Sequence, residues 1–243
     1  MVESPEAAPA SAGPATRSAR TTGVLLAVAL VVLVAALVLP WWSETEVFGP
    51  VTWVQEFSPF TGVRASCAPS CGALDFGPPT GPLQGTSSFS SVGLHDTGIL
   101  YEISLGLVLA GVACTGAAIA LWGLSSKGSG SSRRSRAWIV AGTAALLSVA
   151  VGAALLPALQ PSALRADTVA KLSAGGVWTA SPSPETSFIG ECQRGAFNGV
   201  CASGGSATWG PGIGWLLLVV ATGVLILVLV RNVPRGERPA TRA

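Results

Sequence analysis

Charge is what this sequence has least of. Only 11% of its 243 residues are Asp, Glu, Lys or Arg, against about a quarter in soluble domains, which excludes a conventional solvated surface on all sides. There is one histidine, His95, and there are two lysines, Lys127 and Lys171. That scarcity argues against a histidine-rich metal site or an imidazole relay. A net charge of +2 without a basic and aromatic stripe excludes a nucleic-acid surface. No Walker loop, nucleophile elbow or zincin helix is present. No catalytic residue, metal or cofactor is therefore expected, and the chain is not expected to be an enzyme.

Four apolar blocks are what the sequence has instead. Mean hydropathy is +0.57, and the apolar residues are segregated into Thr22–Leu39, Gly98–Trp122, Ala137–Leu159 and Gly212–Val230. Each is near the roughly 20 residues that a helix needs to cross a bilayer. The expected fold is an all-α membrane protein, a four-helix transmembrane bundle with two disulfide-containing extracytoplasmic loops that form a small, partly β cap. Its segments are a disordered cytoplasmic tail (1–21), spans at 22–42, 98–122, 137–159 and 212–230, outer loops at 43–97 and 160–211, and cytoplasmic segments at 123–136 and 231–243. The first span carries Arg17 and Arg20 ahead of it, as a signal peptide would, but no small-x-small cleavage site follows, so it is expected to remain as an anchor.

Basic residues set the orientation. Arg17, Arg20, Lys127, Arg133, Arg134, Arg136, Arg231, Arg235 and Arg238 lie in the short segments close to span ends, whereas the loop 43–97 holds only Arg64. The positive-inside bias then places both termini and the middle loop in the cytoplasm of a cell (inner) membrane. Arg outnumbers Lys twelve to two and Ala, Gly and Pro are abundant, the composition of a GC-rich, bacterial genome. Cys67, Cys71, Cys192 and Cys201 all fall in the two outer loops, where an oxidising compartment allows pairing. The expected bridges are local, Cys67 to Cys71 and Cys192 to Cys201, although four cysteines allow three pairings. Cys114 lies inside the second span as a small packing side chain.

Within the first outer loop, Val47-Phe48 and Val51-Thr-Trp-Val54 read as short strands joined by a Gly49-Pro50 turn. In the second, Ser162 reads as the cap of a short helix from Ala163 to Ser173, followed by short strands at Val177–Thr179 and Ser187–Ile189. The two halves also resemble each other. Trp53 precedes Cys67, and Trp178 precedes Cys192, by the same fourteen positions, and Gly72-Ala-Leu-Asp-Phe-Gly77 is similar to Gly195-Ala-Phe-Asn-Gly199. Duplication of a two-helix hairpin accounts for this, as does coincidence in Gly-rich loops.

In lipid, helices associate where small residues let backbones approach. Gly106, Ala110, Ala113, Ala117 and Ala120 recur at helical spacing in the second span, and Ala141, Ala145, Ser148 and Gly152 do so in the third. These two stripes are expected to face each other, leaving the Val- and Leu-rich first and fourth spans toward lipid. Trp41, Trp42, Trp209 and Trp215 are expected to form the outer aromatic belt, and Trp122 and Trp138 the inner one. Glu102 is an intramembrane polar residue, and such a group is a functional suspect by default. It lies one turn inside the span, where turning toward the bundle or snorkelling outward satisfies it; His95 and Asp96 belong to interfacial water.

Four spans with paired cysteines in both outer loops resemble the DsbB-type thiol oxidases. That resemblance implies quinone-linked thiol-disulfide exchange, with Cys67 and Cys71 as the redox pair and Cys192 and Cys201 as the shuttle pair. The chain departs from the pattern in spacing its first pair as C-x3-C and in lacking an arginine where a quinone would sit. In topology alone it also resembles claudin-type four-span proteins, whose first outer loop forms a sheet for contacts with neighbours. The expected role is a non-enzymatic interaction, scaffold or accessory subunit whose cap meets another envelope or membrane protein. The thiol oxidoreductase is the alternative, and a small transporter or channel subunit is the second. Partners beyond the lipid bilayer include a second copy of the chain.

Overall fold

A computed structural model of the chain describes residues 14–68, 85–127, 132–173, 187–192 and 205–232. Four helices, α1 (Pro14–Val38), α2 (His95–Lys127), α3 (Ser132–Ser173) and α4 (Ile213–Asn232), are each long and apolar enough to cross a membrane. The fold is nevertheless not all-α. Strands β1 (Trp42–Phe48), β2 (Val51–Ser58), β3 (Gly62–Ala68), β4 (Gly85–Ser87), β5 (Gly190–Cys192) and β6 (Ser206–Pro211) form one antiparallel sheet in the order β4-β3-β2-β1-β6-β5. Both long loops, 43–97 and 160–211, contribute strands to that sheet, because β1 pairs with β2 on one side and with β6 on the other.

The join between sheet and bundle is short. α1 passes into β1 across three residues, and β6 passes into α4 across Gly212 alone. The two crossings are stitched by backbone bonds, Gly212 N–H to Trp41 O at 2.9 Å and Gly214 N–H to Pro40 O at 2.8 Å. Trp41 and Trp42, expected in a lipid-facing belt, are 0% and 1% exposed. The Trp41 indole donates to the Ala36 carbonyl in the last turn of α1, and the Trp42 indole to Phe188 O. Both rings are held as the core of the join, where their N–H groups find backbone acceptors that lipid could not offer.

Every helix carries a buried seam at alternating spacings of three and four, the pattern of knobs-into-holes packing. Leu26, Ala29, Leu33 and Ala36 form it on α1, and Gly214, Leu218, Ala221, Leu225 and Val228 on α4. α1 packs extensively against α4, so the first and last spans are not simply lipid-facing; their outward sides, such as Val31 and Val34, are. The α2–α3 pairing is the most extensive in the bundle, but α2 meets α3 on a different face from the expected stripe. Its seam is Tyr101, Ser104, Val108, Gly111, Thr115 and Ala118, whereas Gly106, Ala110, Ala113, Ala117 and Ala120 are exposed. Both rows have the same rhythm and small residues occupy both, so spacing alone does not choose between them. On α3, Ala145 and Gly152 are buried and Ala141 and Ser148 half-buried. A Cβ at Gly152 would lie 3.1 Å from Ser104 O, which is the close approach that glycine permits here.

α3 is one continuous helix where the sequence suggests a span and a separate short helix. Pro157 and Pro161 sit inside it. Pro157 has no N–H to give the Ala153 carbonyl four residues back, and the Trp215 indole on α4 donates to that carbonyl instead at 2.8 Å. Ser162 bonds back to Leu159 O and caps nothing. At the other end of the chain, α1 begins at Pro14, so residues 14–21 of the expected disordered tail are helical. The Gly49-Pro50 turn joins β1 and β2 as expected, with longer strands than Val47-Phe48 and Val51–Val54. In the second loop a strand lies at Gly190–Cys192, one residue beyond Ser187–Ile189, while Val177–Thr179 falls outside the described residues.

Candidate functional site in the sheet cap

β1 decides what the cap contains. Side chains alternate across a strand, so Trp42, Glu44 and Glu46 share one face and Ser43, Thr45 and Val47 the other. The pairing register carries each row across the sheet, since directly opposed residues point to the same side. Trp42 stands between Phe57 and Pro211, Glu44 between Gln55 and Trp209, and Glu46 between Trp53 and Ala207. The first row is the aromatic core. Trp42 and Phe57 are 4.9 Å apart between ring centroids, and Phe57 meets Phe89 and Tyr101 edge-on. The inner face is therefore the one turned to the helices.

Two carboxyls on that inner face are unusual company. Burial holds the Glu44 carboxyl well above the usual carboxylate range, and the neighbouring Glu46 charge raises it further. Burial also raises Glu46 to about 7. Their strand neighbours on the same face are Trp53, Gln55, Cys67, Ala207, Trp209 and Cys192, none of them cationic. Glu44 Oε1 and the Trp53 indole nitrogen are buried without a hydrogen-bond partner. At neutral pH this arrangement keeps a proton on Glu44 and leaves Glu46 about half-ionised, so the pair takes up and releases a proton near pH 7. Among the described residues no group of three or more His, Cys, Asp and Glu side chains could hold a metal.

A third carboxyl group, that of Asp167, ties the cap end of the bundle together. Asp167, 2% exposed on α3, accepts the backbone N–H groups of Asp96 (2.8 Å) and Thr97 (3.0 Å) and the Thr97 hydroxyl (2.7 Å). These are free donors at the start of α2, so Asp167 caps a helix it does not belong to. Further along the same interface, the Tyr101 hydroxyl lies 3.3 Å from Gln160 Oε1.

The residues singled out from sequence are scattered. Cys67 lies on β3 and Cys192 on β5, while Cys71 and Cys201 fall outside the described residues, and with them both expected bridges. Cys67 and Cys192 do share one row, Cys67–Trp53–Glu46–Ala207–Cys192. Four inter-strand steps separate them by about 19 Å, well beyond the ~7 Å Cα reach of a disulfide, so Cys67 cannot join Cys192 directly. Trp53 stands directly opposite Cys67, whereas Trp178 lies outside the described residues. Glu102 is exposed on the outward side of α2, on the same flank as Ile99 and Ile103, and so does not turn into the bundle. His95 and Asp96 are exposed at the helix start.

Glu44, Glu46 and Asp167 were all passed over in the sequence. The signal for the first two was present: the alternation Trp42-Ser-Glu-Thr-Glu-Val-Phe48 puts both carboxyls in phase with an aromatic. Asp167 had no local signal, because its partners lie about 70 residues away. No protein-family model matches the chain, and no curated protein matches it in sequence.

Proposed function

We propose that the chain is a non-enzymatic scaffold or accessory subunit of a cell membrane, with both termini cytoplasmic and the sheet cap on the extracytoplasmic side, where it docks another envelope or membrane protein. One observation supports this above the rest: both loops join a single sheet whose paired interior strands β1 and β6 are joined almost directly to α1 and α4. Such a join transmits a contact at the cap to two spans with little slack. The polar outer face supports the same reading, since Thr208 and its strand partner Glu191 are exposed there. The topological resemblance to claudin-type proteins points the same way. Local bridges from Cys67 to Cys71 and from Cys192 to Cys201 would stiffen the cap at two strand ends.

The test is site-specific photo-crosslinking in native membranes, with the reactive side chain at Thr208 on the cap and, as a comparison, at Val31 on the outward side of α1. The same identified protein should be captured from Thr208 in independent preparations, with only lipid labelled from Val31. A Thr208 probe that labels only water and lipid would contradict the proposal.

A further inference from the structure

The polar face of the sheet holds a groove of about 510 Å³ whose lining includes Val38, Pro40, Glu56, Ser58, Arg64 and Thr86. We propose that this groove seats a phospholipid with a phosphoethanolamine headgroup, its phosphate on Arg64 and its ammonium on Glu56. The inference is separate from the docking role proposed for the cap.

Position comes first. Trp41 N–H donates to Phe57 O at 2.8 Å, so the turn between β2 and β3 lies at the same end of the sheet as the end of α1. Phe60 in that turn is 57% exposed, as an interfacial aromatic would be. Val38, the last residue of α1 and part of the groove wall, is 71% exposed. Val31, Val34 and Val38 lie on one side of α1 and are all exposed, which provides an apolar track for acyl chains directly below the groove.

Chemistry comes second. Ser58 is only 6% exposed, and its hydroxyl is buried without a hydrogen-bond partner. A buried hydroxyl donor is costly to leave unpaired, and Ser58 is one of the residues that line the groove. Arg64 and Glu56 are direct cross-strand partners, and Thr86 stands opposite Arg64 on the other side. No described residue forms an ion pair with either charge. Opposite charges side by side match a phosphate and an ammonium in one headgroup. A purely anionic headgroup would meet Glu56, and a choline headgroup has no N–H to donate to it.

Full-length protein in mixed micelles holding equal phosphatidylethanolamine, phosphatidylglycerol and phosphatidylcholine, with bound lipid counted by native mass spectrometry, tests this. Phosphatidylethanolamine should be retained about tenfold over either competitor, a difference that corresponds to one decade in affinity. Arg64→Gln should lower that retention about tenfold, Ser58→Ala several-fold, and Glu56→Gln should turn the preference toward phosphatidylglycerol. Ser58→Ala removes only an orphaned hydroxyl and Glu56→Gln keeps shape, so both remain informative if Arg64→Gln fails to fold. Equal retention of the three lipids would overturn the proposal, as would unchanged retention in Ser58→Ala and Glu56→Gln. Displacement by soluble phosphoethanolamine as effective as by the lipid would overturn the lipid assignment.

Discussion

The two faces of the cap sheet are built from the same six strands and follow opposite rules. The outer face carries Ser43, Thr45, Glu56, Arg64 and Thr208 beside Val47 and Val54, with Arg64 and Thr208 exposed and the others half-buried or at the edge. The inner face puts Trp42 and Phe57 next to Glu44 and Glu46, so the most apolar and the most titratable groups of β1 lie on one side. Burial by itself does not sort polar from apolar here. What separates the two carboxyls from their neighbours is their surroundings: they stand among Trp53, Trp209 and Ala207 with no cation opposite, and respond by keeping protons.

The contrast is broken most directly at the aromatic row. Trp42→Ala removes a ring that is 1% exposed, its contact with Phe57 and its bond to Phe188 O; denaturant titration of the purified protein should show a loss of about 3–5 kcal/mol. Proton linkage comes next. Glu46 has a folded value of about 7 against an ordinary 4.5, so its contribution is fully present below about pH 4.5 and is lost as pH rises through 7. At roughly 1.4 kcal/mol per unit that amounts to on the order of 3 kcal/mol, and Glu44 is raised in the same direction. Stability should fall between pH 5 and pH 8, and the double variant Glu44→Gln, Glu46→Gln should flatten the profile and be the more stable protein at pH 8. A steeper fall in the double variant would contradict the assignment.

Smaller effects sharpen the same comparison. The Trp209 indole donates to Ser187 O, whereas that of Trp53 has no partner. Trp209→Phe should cost about 1 kcal/mol more than Trp53→Phe, as the net worth of one hydrogen bond, read from paired melting curves. On the outer face, Ser43→Ala and Thr45→Ala should move stability by no more than about 0.5 kcal/mol.

What the sequence disclosed follows from how local each feature is. The four spans were legible because length and hydropathy suffice, and the β1–β2 hairpin because Gly49-Pro50 sits between β-branched and aromatic residues. β6 was not legible: Ser206–Pro211 has little strand character of its own and is held by β1, some 160 residues earlier. The continuation of α3 past Pro157 was hidden because its rescue comes from Trp215 on another helix. The α2 seam was misplaced by half a turn because small residues fill both candidate rows. The inner carboxyls were overlooked because charge on a strand reads as solvent-facing until the register with Trp42 is followed.

The central claim is that the two long loops form one sheet, and Thr45 and Thr208 test it, being direct partners on β1 and β6. Cysteines placed at both positions, with a protease site inserted between residues 128 and 131 to cut the chain into halves, should leave the halves joined on a non-reducing gel and free after reduction. A Thr45→Cys, Thr208→Cys protein whose halves separate without reductant, as the protein without the added pair does, would contradict the single sheet.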